Sequence, residues 1–153
     1  MFVLVVGAGR VGSSVATTAL RAGHTVSVLD EDPLSHERLD VELGQAWEAA
    51  GGRFTIGTAL EMEALEEAGI AEADVFIAST NGDNTNLVVS QIAQRRFEVP
   101  KVIARVLDPR RAAWYAEQGL QTVCPTAIAI DQLERAALGD PAAAIGRPGD
   151  QGA

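Results

Sequence analysis

Apolar residues along this chain fall into short unbroken runs, separated by stretches in which they recur every three or four positions. The first run, "FVLVV" at residues 2–6, contains no polar residue, the pattern of a strand covered on both faces. A helix-period stretch follows from about Arg10 to Arg21 and stops at "AGH", where Gly23 suits a helix C-terminus. "TVSVLD" (25–30) predicts a second strand, and a polar stretch from Pro33 to Ala49 predicts a second helix, with proline in its first turn. The glycine pair 51–52 stops that helix before "RFTI" (53–56), a short third strand. An acidic helix over 60–68 leads to a fourth strand at 74–79, then to a helix over 83–96 and a fifth strand at 101–106. A helix starting near Pro109, a short sixth strand at 121–124 and a last helix over 126–138 complete the pattern.

Strict alternation with short connections implies a parallel sheet, right-handed crossovers and helices on both faces. Six strands with a glycine-rich first turn point to a doubly wound, Rossmann-like three-layer α/β/α domain of strand order 3-2-1-4-5-6. That domain is expected to occupy residues 1–138. The segment 139–153, "GDPAAAIGRPGDQGA", is rich in Gly, Pro and Ala and is expected to be a disordered tail.

The turn after the first strand reads "GAGRVG", that is G-x-G-x-x-G at Gly7, Gly9 and Gly12. Gly7 suits a tight turn, Gly9 lets the backbone approach a pyrophosphate, and Gly12 permits close helix-to-strand packing. The following helix N-terminus offers free N–H groups and partial positive charge to an anion. Asp30, at the end of the second strand, supplies a carboxylate that can accept both ribose hydroxyls of an adenosine and would repel a 2′-phosphate. Arg10 either adds a charge-assisted contact to a diphosphate or is a solvated helix residue. Ligands of open α/β sheets sit beyond the strand carboxyl ends at the switch point, which brings in "STN" (79–81) after strand four. Arg105 interrupts an apolar strand near its carboxyl end. A lone arginine there needs an anion, either a ligand or a carboxylate such as Asp83 or Asp108.

Charge and composition narrow the partners. A net charge of −9 and a pI near 4.6 argue against nucleic acid or an anionic membrane as a direct partner. The single cysteine, Cys124, fits a reducing compartment and reads as a packed thiol or a redox sensor. No early apolar run approaches the roughly 20 residues of a membrane span, and a strand beginning at residue 2 leaves no room for a signal peptide. A cytoplasmic location is therefore expected. No catalytic constellation emerges. Tyr115 has Gly119 rather than lysine four positions on, Lys101 begins a strand, and His24 precedes strand two. His36 reads as a solvated residue, and one cysteine with two separated histidines predicts no metal site.

The fragments "GAGRVG", "GHTVSVLD", "EEAGIAEADVFIAST", "DNTNLVVSQIA", "VPKVIARVLDP" and "CPTAIA" occur in this order. Together they resemble the N-terminal nucleotide-binding domain of Trk-type potassium-uptake regulators, the RCK N-terminal, KTN or TrkA-N domain, over about residues 1–135. The resemblance implies a cytosolic regulatory subunit beneath a membrane potassium transporter or channel. It also implies pairing into dimers or larger rings, with NAD(H) or an adenine nucleotide such as ATP or ADP in the cleft. It assigns Gly7, Ala8, Gly9, Arg10 and Val11 to the phosphates and Asp30 to the ribose, counts Gly12 among the cofactor-binding residues of the motif, and places Thr80, Asn81 and Arg105 beside the cleft. Two features depart from the family pattern. Thr58 follows Gly57 where an acidic residue is usual, and only the short tail follows Leu138, where the family carries a further ligand-binding domain. The competing expectations are a small NAD-dependent oxidoreductase, or its cofactor half, and a nucleotide-binding adaptor without a transport partner.

Overall fold

A computed structural model describes residues 1–139; the expected tail lies, from residue 140 onward, outside the described residues. Six strands form one sheet of order β3-β2-β1-β4-β5-β6. They are β1 (Phe2–Val6), β2 (Thr25–Asp30), β3 (Arg53–Ile56), β4 (Val75–Ala78), β5 (Lys101–Arg105) and β6 (Gln121–Val123), and every pairing is parallel. The helices between them are α1 (Arg10–Arg21), α2 (Ser35–Leu43), α3 (Met62–Glu67), α4 (Asp83–Arg95) and α5 (Pro109–Glu117), with α6 (Pro125–Leu138) after β6. The expected fold and strand order are both present.

Alternation along β1 separates two cores. Val3 and Val5 join Ala16 of α1, Leu39 and Leu43 of α2, and Trp47 on one face. Leu4 and Val6 join Leu65 of α3, Leu87 and Val89 of α4, and Ala112 of α5 on the other. The switch of helices from one face to the other follows from right-handed crossovers that run in opposite directions from β1. α6 contributes no buried residue to either layer.

One element differs from expectation. The helix predicted over 33–49 ends at Leu43, because Gly44 takes the left-handed conformation (φ 80°) and its N–H returns to the Asp40 carbonyl. The chain then turns so that Trp47 enters the core, fully buried, with its indole N–H donating to the Arg53 carbonyl at 3.0 Å. Asp40 accepts from the Trp47 N–H at 2.7 Å and holds that turn against α2. A continuous helix would have aimed the indole by helical period alone. Burial of a large aromatic with a satisfied N–H outweighs a few further residues of helix. The helix expected over 60–68 is also shorter, and a single 3-10 turn, Ile70–Glu72, leads into β4.

Candidate nucleotide-binding site

Where β1 ends, the Gly7 N–H donates to the Leu29 carbonyl of β2 and the Ser79 N–H donates to the Val6 carbonyl, each at 2.8 Å. The carboxyl ends of β1, β2 and β4 are thereby tied around one cavity of about 830 Å³. Gly7, Gly9, Arg10, Val11, Asp30, Thr80, Asn81 and Arg105 all line it. Ala8 and Gly12 lie beneath the turn, fully buried and buried respectively.

The glycines meet separate steric demands. Gly7 has φ 95°, and a Cβ there would lie 2.7 Å from the Thr80 nitrogen. At Gly12 a Cβ would overlap the Gly7 carbonyl oxygen and approach Ser79 Oγ at 2.7 Å. Nothing lies within 4 Å of a Cβ at Gly9, so the middle glycine faces open space where a ligand's phosphates need room.

Asp30 is already engaged. Its Oδ2 accepts the Ala8 N–H at 2.6 Å and its Oδ1 accepts the Asp32 N–H at 2.9 Å. Each carboxylate oxygen has further acceptor capacity for a ribose hydroxyl. The carboxylate therefore shapes the turn as well as facing the cavity.

On the opposite wall, Arg105 Nη1 donates to the Thr80 and Ser79 carbonyls at the long distances of 3.3 and 3.4 Å. Its Nε is buried with no hydrogen-bond partner among the described residues. The carboxylates offered above as alternative partners are used elsewhere. Asp83 accepts the Leu107 and Asp108 N–H groups at 2.7 and 3.0 Å, while Asp108 caps α5. A guanidinium at a cavity wall with weak neutral acceptors and an orphaned Nε fits an incoming anion.

Three residues that sequence reasoning did not assign, Asn86, Arg38 and Ser35, complete the arrangement together with Ser79 of the 79–81 segment. Asn86, buried, accepts from Thr80 N–H and Oγ and donates to the Thr80 and Arg105 carbonyls, all within 2.7–2.9 Å. It pins the ends of β4 and β5 together. Ser79 Oγ donates to the Gly7 carbonyl at 2.9 Å, joining β4 to the glycine turn. Arg38 and Ser35 of α2 line the cavity near Asp30. A polar asparagine in phase with Leu87, Val89 and Ser90 on the buried face of α4 is the one signal a sequence reading offered. Arg38 and Ser35 sit among other polar residues and carry no such signal.

Outside the cavity, His36 is half-buried rather than freely solvated. Its Nε2 lies 2.7 Å from Glu48 Oε1, its Nδ1 lies 3.7 Å from Asp40 Oδ2, and its ring stands edge-on to Phe54. Cys124 caps α6, its sulfur accepting the Ala127 N–H at 3.4 Å. No helix among the described residues is long and apolar enough to cross a membrane.

A doubly wound parallel sheet with a glycine turn, a β2 carboxylate and arginines around one open cleft defines a Rossmann-like domain. More narrowly, the profile of the TrkA-N domain matches residues 3–126, and the chain belongs to that family. It is 40% identical over 138 residues to the Trk system potassium uptake protein TrkA of Streptomyces coelicolor, an alignment covering 90% of this chain and 59% of that protein. The chain spans about 59% of the length of such curated relatives. In fold it is similar to the AMP-bound C-terminal domain of Shewanella denitrificans Kef, with TM-score 0.71, 23% identity, and 92% and 84% of the two chains covered. It is also similar to GsuK bound to ADP, with TM-score 0.70, 19% identity, and coverage of 88% and 33%. The curated relatives are named for potassium uptake.

Proposed function

We propose that this chain is the nucleotide-sensing domain of a cytosolic regulatory subunit of a potassium uptake system or channel. The observation that carries the reading is the convergence of the glycine turn, Asp30 and Arg105 on one cleft, in a chain of the TrkA-N family. In this reading the N–H groups of Gly9, Arg10, Val11 and Gly12, at the N-terminus of α1, receive the phosphates, while Gly7 and Ala8, whose own N–H groups are bonded to Leu29 and Asp30, shape the turn beneath them. Arg10 and Arg105 add charge from two sides, and Thr80 and Asn81 border the ligand's path. Asp30 takes the adenosine ribose. NAD(H) fits this donor and acceptor set, as do ADP and ATP, and the three share the adenosine diphosphate that these residues read.

The output surface is α6. Ile128, Ile130, Leu133 and Leu138 are all exposed on a helix that has no fully buried residue among the described ones. Exposed apolar residues around such a helix support pairing with a second copy of this chain, with the membrane transporter reached through the assembly. A ligand that binds two assembly states unequally shifts their ratio by its differential affinity and no more.

Two measurements test the reading. A thermal-shift series with NAD, NADH, ADP and ATP should raise the melting temperature by RT ln(1 + [L]/Kd) in free-energy terms. No shift with any of the four overturns the sensing role. Native purification should recover the chain with a membrane potassium transporter, and recovery without one overturns the transport role. Sustained hydride transfer from NADH to a purified substrate would point instead to an oxidoreductase.

A further inference from the structure

Arg38 stands on α2, outside the glycine turn and the β2 carboxylate, yet its Nη1 donates to the Ala8 carbonyl at 2.6 Å. That is as short as the bond from the Ala8 N–H to Asp30. Ala8 is fully buried, so both of its peptide groups need protein partners, and both partners are charged side chains from the β2–α2 segment. The two bonds act on consecutive peptide units. Asp30 holds the Gly7–Ala8 unit by its N–H, and Arg38 holds the Ala8–Gly9 unit by its carbonyl.

The second unit is the vulnerable one. In a trans peptide the C=O and N–H point in opposite directions, so fixing the Ala8 oxygen toward α2 directs the Gly9 N–H away from it. The Gly9 N–H makes no hydrogen bond among the described residues, and Gly9 lines the cavity. Gly9 has φ −68°, and a flip of the Ala8–Gly9 peptide would carry φ to a positive value that only glycine reaches without penalty. The glycine that gives a phosphate room therefore also makes this peptide easy to turn over. The flip would present a carbonyl oxygen where an N–H stood, replacing an attractive dipole with a repulsive one at the anion's position.

We infer that Arg38 is a positioning residue for phosphate recognition: it locks the Ala8–Gly9 peptide so that the turn presents N–H rather than C=O. This rests on the nucleotide reading above and adds to it a residue on α2 that no glycine motif includes. It also couples the placement of α2 to the state of the phosphate turn.

The test uses the full chain and the variants Arg38→Met and Arg38→Lys, with adenosine, ADP and NADH as ligands. Arg38 is exposed and lies outside both cores, so both variants should keep the fold, which circular dichroism checks before titration. Arg38→Met should bind ADP and NADH about tenfold or more weakly, as expected for a lost charge-assisted bond, and adenosine with little change. Arg38→Lys, which keeps a cationic donor, should recover most of the loss. The deciding readout is ¹⁵N relaxation dispersion of the ligand-free protein. Arg38→Met should develop microsecond-to-millisecond exchange at Ala8, Gly9 and Arg10 that the unaltered chain and Arg38→Lys lack. Weaker ADP binding with a quiet turn would overturn the inference, since Arg38 would then act by touching the ligand. Unchanged ADP affinity in Arg38→Met would overturn it as well. If the unaltered chain binds neither ADP nor NADH, the nucleotide reading fails, and dispersion in the free variants decides the peptide lock by itself.

Discussion

Asp30 carries two loads, and they can be separated. Its carboxylate supports the Ala8 N–H of the turn and faces the cavity where a ribose would lie. Asp30→Ala removes both roles, and isothermal titration should find NADH bound at least about tenfold more weakly, the scale of a lost charge-assisted hydrogen bond. Asp30→Asn keeps an oxygen acceptor for the Ala8 N–H but loses the charge, so it should fall between the two. Gly12 makes a purely steric prediction. A methyl group there overlaps the Gly7 carbonyl, so Gly12→Ala should cost about 1–3 kcal/mol in chemical denaturation, as overpacking does. Arg105 differs from both, because its weak neutral acceptors and buried Nε leave it poorly satisfied in the free protein. Its replacement by methionine should weaken diphosphate ligands while changing the melting temperature little.

At the scale of elements, α2 and the turn that follows it show how packing overrides a local pattern. The polar stretch 33–49 has ordinary helical composition, and only Gly44 hints at an earlier end. Trp47 decides the matter, since it fills the space beneath α1 and α2 and donates its N–H to Arg53. Trp47→Ala should cost about 3–5 kcal/mol of unfolding free energy, the range for deleting a buried aromatic. α5 depends on a different local device. Asp108 accepts the Arg110 and Arg111 N–H groups at 2.8 and 3.2 Å, with Pro109 in the first turn. Asp108→Ala should cost about 1 kcal/mol, and urea unfolding followed by circular dichroism would register the loss.

For the whole molecule the consequential feature is a helix with no interior to join. Leu133 is 69% and Ile128 55% exposed on α6, although both are apolar. If α6 pairs with a second copy, Leu133→Glu should shift the chain to monomer in light scattering while leaving its unfolding transition nearly unchanged. Persistence of the larger species would place the pairing surface elsewhere. A net charge of −9 disfavours direct contact with anionic lipid, in keeping with the proposed route to a membrane through a protein partner.

The strand order, the two-faced layering and the glycine turn with Asp30 were legible in the sequence, because each rests on local rules. Unbroken apolar runs require burial on both faces, crossovers have one hand, and G-x-G-x-x-G states a backbone geometry. Tertiary structure alone decided how the turn is held. Arg38 lies 30 positions from Ala8, and Ser79 lies 72 positions from the Gly7 carbonyl it bonds, so no periodicity links them. The fates of Asp83 and Asp108 were open for the same reason. A carboxylate near an arginine in a parallel sheet can pair with it or cap a backbone, and only the placed backbone N–H groups settle which. Hydrophobic pattern specifies which faces must be covered, whereas a buried polar group takes whichever partner the assembled fold brings within about 3 Å.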